Sequence, residues 1–132
     1  MADGMRLRII TPEKQFYDGQ VDMVELTTTE GNIGVYPEHI PLTAVVAPGI
    51  LKIHEGKEIR EASLISGFLT IMPDEVTIMA EIAEWPDEID FNRAEQARAR
   101  AERRLSEHKP ELDVLRAELA LKRALVRLEL KH

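Results

Sequence analysis

The chain has 132 residues, 44% hydrophobic and 31% charged, which describes a globular protein with room for one sizeable core and leaves intrinsic disorder out. Its net charge of −7 disfavours a nucleic-acid partner, and the lack of cysteine removes disulfide frameworks and thiolate metal sites. The four histidines, His39, His54, His108 and His132, show no ligand spacing, so no metal site is expected.

The N-terminus has none of the charged and apolar regions of a secretory signal. From it the chain opens into short period-two segments: MRLRII (5–10), VDMVELTT (21–28), ILKIH (50–54), EIREASLI (58–65), FLTIM (68–72) and VTIMAEI (76–82) all alternate as strands do. Asp18-Gly19, Pro48-Gly49, Glu55-Gly56 and Pro73-Asp74 read as the turns between them. EGNIGVYPEHIPL (30–42) reads as a glycine and proline turn system. Many short strands at close spacing predict a β-sandwich or a flattened barrel. The longest weakly polar stretch, IPLTAVVAPGIL (40–51), holds two prolines and falls short of the roughly 20 residues a membrane span needs.

Composition changes class near Pro86. All seven glycines lie at or before Gly67; residues 1–85 carry 6 Lys and Arg against 14 Asp and Glu, net −8, whereas 86–132 carry 11 against 10, net +1. The predicted domains are therefore a β unit over 1–85 and a helical unit over 86–132. Two helices are predicted, at about 90–106 and 111–130, and the short connector SEHKP, with its proline, folds them into an antiparallel hairpin. The inner stripe of the first helix is Ala94, Ala97, Ala101 and Leu105. A buried methylene is worth about 0.8 kcal/mol, so an alanine seam docks weakly.

The helical region also writes one phrase twice: EIDFNRAE from Glu88 and ELDVLRAE from Glu111. Superposed, they align Arg93 with Arg116, Arg100 with Arg123 and Arg104 with Arg127, and helical offsets of 7 and 11 return to within about 20° of the start. Each helix thus carries an arginine stripe. On the second, Arg116, Arg123 and Arg127 fall inside an apolar arc, with Ala117, Ala120, Leu121, Ala124 and Leu128 on one flank and Leu112, Leu119, Val126 and Leu130 on the other. A guanidinium there is costly unless an anion meets it. Asp90 and Asp113, three positions before Arg93 and Arg116, fit either intrahelical ion pairs or helix N-caps. Arginine forks converging from two helices equally suit a polyphosphate. No P-loop string is present, and ISGF around Ser66 is not a nucleophile elbow.

TPEKQFYDG (11–19), EGNIGVYPEHIPLT (30–43), SGFLTI (66–71) and VTIMAEIAE (76–84), followed by two Ala/Arg-rich helices, resemble the epsilon subunit of bacterial F-type ATP synthases across essentially the whole chain. The resemblance implies a flattened β-sandwich of about ten strands and a two-helix hairpin. It implies a non-catalytic rotor subunit, peripheral on the cytoplasmic side of the cell membrane, that binds the gamma subunit and the c-ring and inhibits ATP hydrolysis when its helices extend toward the alpha and beta subunits. Some Bacillus-type members bind ATP through an Ile/Leu-Asp-x-x-Arg-Ala motif, which stands here as Ile89, Asp90, Arg93 and Ala94. The other nucleotide contacts would fall on Glu84, Arg100, Arg123 and Arg127, with any role of Mg²⁺ left open. LDVLRA (112–117) matches the same string without an assigned role. Gly31, Asn32 and His39 would face the c-ring, with two departures: an acidic residue often stands at Asn32, and Glu38 replaces a usual glycine. The reading from a different class is a structural adaptor whose helices brace a partner and bind no nucleotide.

Overall fold

A computed structural model describes residues 4–107 and 110–131, so His108, Lys109, His132 and the side chain of Leu112 lie outside the description. Two compact units are present, the first ending at Glu84 and the second beginning at Trp85.

The first unit is a β-sandwich of eight strands: β1 (Met5–Ile10), β2 (Gln15–Val21), β3 (Met23–Thr28), β4 (Gly31–Val35), β5 (Leu42–Val46), β6 (Gly49–Glu55), β7 (Glu58–Ile71) and β8 (Glu75–Glu84). Hydrogen bonding runs in the order β2-β1-β8-β7-β5-β3-β4, with β6 joining β3 and β7. The β1–β8 pair is parallel and the other described pairs are antiparallel. Period-two alternation turns Met5, Leu7 and Ile9 of β1, Val24 and Leu26 of β3, Leu51 and Ile53 of β6, Leu69 and Ile71 of β7, and Val76 and Ile78 of β8 into one apolar core.

Where the resemblance implies about ten strands, the described residues form eight, and two predicted segments, 58–65 and 68–72, run on as the single 14-residue β7. Its first half pairs with β6 and its second with β5. At the changeover Ser66 has φ 54° and Gly67 φ 147°, while the facing chain bends between β5 and β6 at Ala47-Pro48. Two neighbouring strands thus turn the corner of the sandwich together. A Cβ on Gly67 would stand 2.1 Å from the Met79 carbonyl oxygen, so the corner admits only glycine there.

Asp18-Gly19 is not a turn: it lies within β2, opposite Arg8 and Leu7. Arg6 clamps the Asp18 carboxylate through Nε at 3.0 Å and Nη2 at 2.8 Å, and the Tyr17 ring covers Gly19, where a Cβ would come within 3.0 Å of the phenolic oxygen. The hydrogen bond from Arg6 holds the Asp18 carboxyl below its usual value. Part of the predicted turn system at 30–42 is likewise the strand β4.

The second unit begins with a 3-10 turn, Pro86–Glu88, whose Glu88 carboxylate accepts from the Trp85 backbone N–H at 2.9 Å. Helix α1 spans Phe91–Leu105 and α2 spans Glu111–Glu129, and the two pack against each other. Among the described residues, no helix is long and apolar enough to cross a membrane.

Candidate nucleotide site and docking surfaces

The hairpin buries Ala94 and Ala101 of α1 and Ala117 and Ala124 of α2. Small side chains let the helix axes approach closely, but each contributes a single methyl group, so the seam is tight and energetically thin. Both α1 alanines belong to the predicted inner stripe; the other two members, Ala97 and Leu105, are half-buried.

The arginines around this seam are not alike. Arg98 is neutralised within its own helix by Glu95 and Glu102, and its hydrogen bond holds the Glu95 carboxyl below the ordinary range. Arg93 and Arg100 are exposed, with no side-chain partner among the described residues. On α2, Arg116 is exposed, which removes it from the predicted apolar arc, whereas Arg123 and Arg127 are half-buried as that arc requires. Arg123 Nε is sealed from solvent and meets no acceptor among the described residues. A buried guanidinium N–H without a partner costs free energy that an incoming anion recovers.

The doubled phrase separates into two structural roles. In the first copy Asp90 is the N-cap of α1, its Oδ1 accepting from the Arg93 backbone N–H at 3.0 Å. That settles the choice for Asp90 in favour of the cap and leaves the Arg93 guanidinium available. In the second copy the helix starts earlier in the phrase: Pro110 occupies the N-cap, and Asp113 already sits in the first turn, its own N–H bonded to the Pro110 carbonyl. The favourable element at Asp113 is an acid near a helix N-terminus. Ile89 is buried just before the cap and Ala94 lies in the seam. Glu84 belongs to the other unit, at the end of β8, where its backbone carbonyl and Oε1 face the hydroxyl of the fully buried Ser63 at 3.4 and 3.2 Å.

The residues expected to face the c-ring also divide. Gly31, at φ 117°, opens β4; Asn32 Oδ1 accepts from Thr27 Oγ1 at 2.8 Å. Both line a cleft of about 510 Å³ together with Thr28, Glu30, Ile33, Leu42, Thr43, Val45 and Phe68. His39 lies outside that lining, in the loop before β5, with Nδ1 donating to the Ile40 carbonyl at 2.8 Å. Beside it Ile40 is 78% exposed, held between two prolines.

Sequence periodicity did not reveal one surface. The sheet registers Val45 with Phe68 and Phe68 with Met79, while Ile10 pairs with Met79 across the parallel ladder. The row points outward: Phe68 and Met79 are each 60% exposed. The visible signal was that FLTIM and VTIMAEI carry apolar residues on both of their alternating faces, which a sheet solvated on one side does not need.

Among the described residues no cluster of His, Cys, Asp or Glu could hold a metal ion. Comparison with known proteins places both units. Residues 4–86 match the family model of the ATP synthase delta/epsilon chain β-sandwich domain, and residues 87–131 that of the delta/epsilon chain long α-helix domain. An ATP synthase epsilon chain of Halalkalibacterium halodurans is 43% identical over 126 residues, covering 95% of each chain. One from Caldanaerobacter subterraneus subsp. tengcongensis is 44% identical over 131 residues, covering 98% of this chain and 95% of its own. In fold, the chain is similar to one in the Euglena gracilis mitochondrial ATP synthase, with a TM-score of 0.83 at 24% identity over 96% of this chain and 79% of that one.

Proposed function

The chain belongs to the ATP synthase delta/epsilon chain family, among the epsilon chains of the central stalk, and we propose that it joins the gamma subunit to the c-ring and restrains ATP hydrolysis through α1 and α2, with ATP favouring the folded hairpin. It works on the cytoplasmic face of the membrane without inserting into it. The outward row Ile10, Met79, Phe68 and Val45 supports docking on the sheet, because apolar area of that kind is stabilised only when covered.

The observation that carries the regulatory part is Arg123: a guanidinium nitrogen sealed from water without an acceptor among the described residues, in a hairpin whose seam is alanine. An anion held between Arg93 and Arg100 of α1 and Arg123 and Arg127 of α2 would bridge two weakly docked helices. ATP supplies that charge, and it stabilises the closed hairpin by RT ln(1 + [ATP]/Kd), a contribution that vanishes as ATP is depleted. The hairpin is then free to open toward the alpha and beta subunits. Arginine forks suit the phosphates, and Ile89, Asp90 and Ala94 of the helical unit complete the candidate set.

Titration calorimetry of the full chain with ATP, with and without Mg²⁺, tests this reading. Binding is expected for the parent chain and loss of at least tenfold in affinity for Arg93→Met/Arg123→Met. Asp90→Asn is the proper companion, because it keeps an N-cap that Asp90→Ala would remove at about 1 kcal/mol. Absence of binding in the parent chain, with assembly onto gamma intact, establishes the structural adaptor instead.

A further inference from the structure

The chain contains no cysteine, so methionine supplies its only sulfur, and the fold treats its methionines differently. Met5 of β1 lies in the core, 2% exposed. Met23 is half-buried, its Cε seated over Gly34, where a Cβ would come within 2.6 Å. Met72 is 48% exposed, past the end of β7 and beside Pro73. Met79 is 60% exposed in the middle of β8, a strand paired on both sides. Two ladders fix its backbone, so its thioether stands in solvent by construction and not through fraying.

The neighbours of Met79 make the position chemically sensitive. Phe68 stands directly across from it in one ladder and Ile10 in the other, and Val45 extends the row beyond Phe68. Directly opposed antiparallel side chains have Cβ atoms about 4.5–5.5 Å apart, which puts the thioether within reach of the Phe68 ring. An apolar, polarisable sulfur suits a row that a partner is to cover. One oxygen atom on Sδ turns it into a polar acceptor, and covering that acceptor among Phe68, Ile10 and Val45 leaves it unpaired.

We propose that Met79 is a redox-modification site: a hydroperoxide oxidises its thioether to the sulfoxide, and the oxidised chain no longer docks through the row Ile10, Met79, Phe68 and Val45. The Sδ lone pair forms the S–O bond as the O–O bond breaks. With hydrogen peroxide one oxygen stays on sulfur and the other leaves as water, so the sulfur gives up the two electrons that the peroxide gains. A thiol-dependent methionine sulfoxide reductase reverses the step. The modification acts on the chain before assembly, because docking covers Met79. Its consequence rests on the rotor reading above; the site itself does not.

Peptide mass spectrometry of the isolated full chain in dilute hydrogen peroxide reads the site, and Met79 is expected to gain oxygen at least tenfold faster than Met5. Incorporation of the chain into an ATP synthase stripped of this subunit reads the consequence. Peroxide-treated parent should require at least a tenfold higher concentration than untreated parent, and reductase treatment should restore it. Met72→Leu should respond to peroxide as the parent does, whereas Met79→Leu, whatever its own affinity, should incorporate equally before and after peroxide. Oxidation of Met79 no faster than that of Met5, undiminished incorporation of the oxidised parent, or an equal loss in Met79→Leu overturns the proposal. An untreated parent that does not incorporate overturns the rotor reading, and with it the consequence proposed for oxidation.

Discussion

The two units bury different things. In the sandwich the interior positions are Leu7, Ile9, Leu51, Ile53, Leu64, Leu69, Ile71 and Ile78, whereas the hairpin seam is Ala94, Ala101, Ala117 and Ala124, with Ile89 and Leu130 the large side chains that the helical unit buries at its ends. At about 0.8 kcal/mol per methylene, a buried leucine outweighs an alanine by roughly 2 kcal/mol, so a few facing pairs separate a permanent scaffold from a detachable one. The polar groups do not divide in this way. Ser63 is buried and bonded to Glu84, yet both units hold buried polar atoms that meet no partner among the described residues: Arg8 Nε and Glu75 Oε1 in the sandwich, Arg123 Nε in the hairpin. The contrast between the units therefore lies in the size of the buried side chains and not in unpaired polar atoms.

The sharpest way to break that contrast is at the corner of the platform. Gly67→Ala places a Cβ against the Met79 carbonyl and the Ala80 backbone at a φ of 147°, so neither rotation nor side-chain movement relieves it. We expect a loss of about 4 kcal/mol in denaturant unfolding of the β unit, at the upper end for a single substitution. A loss below about 1 kcal/mol would mean that the corner is softer than its contacts.

The same operation on the hairpin should cost less. Ala101→Leu overfills the alanine seam, and overpacking costs about 1 to 3 kcal/mol in a well-packed core. Two helices joined by a short connector have an easier response, which is to separate. The expected result is faster amide exchange through α1 and α2 with β-unit exchange unchanged. If β7 and β8 amides move equally, the two units are not energetically distinct.

What the sequence disclosed follows from these chemistries. Alternating aliphatics exposed β1, β3, β6, β7 and β8, and the helices were legible from composition to within about a residue at each end. β4 escaped because Gly31, Asn32 and Gly34 dilute its alternation, and Asp18-Gly19 imitated a turn because its strand-forming partners, Arg6 and the Tyr17 ring, are fixed by pairing with β1 and by packing. The arginine stripes were visible as spacing. Which arginine is enclosed was not, since solvent access to Arg116 and Arg123 depends on the helix packing and not on angle alone.

A smaller effect probes how self-contained the platform is. The Tyr17 hydroxyl donates to the Glu55 carboxylate from a largely buried ring, and burial, reinforced by that bond, pushes the phenol above its ordinary value. A raised folded-state value means that the stabilisation is fully present below the unfolded phenol's pKa of about 10 and is lost as pH rises beyond it. Tyr17→Phe is therefore expected to cost about 1 to 2 kcal/mol at pH 7 to 9, a hydrogen bond to a charged acceptor, with the gap to the parent closing above pH 10. Unfolding curves across pH 7 to 11 check both the size and the closing.

The smallest change should run in the opposite direction, and it concerns the place where the platform is not optimal for itself. Glu38 adopts φ 65°, the left-handed region, in an exposed position, with its backbone N–H donating to the Pro73 carbonyl at 2.7 Å. That conformation costs an L-residue about 1 to 2 kcal/mol, whereas glycine enters it freely but gives up about 0.5 to 1 kcal/mol through the greater freedom of its unfolded chain. Glu38→Gly should therefore stabilise the β unit by about 0.5 kcal/mol while keeping the bond to Pro73, since the N–H is retained. Equal or lower stability in thermal unfolding would show that the glutamate side chain makes a compensating contribution in the free chain. A gain would mean that the acid stands at this bend, beside the exposed Ile40 and the bonded His39, at the expense of the fold.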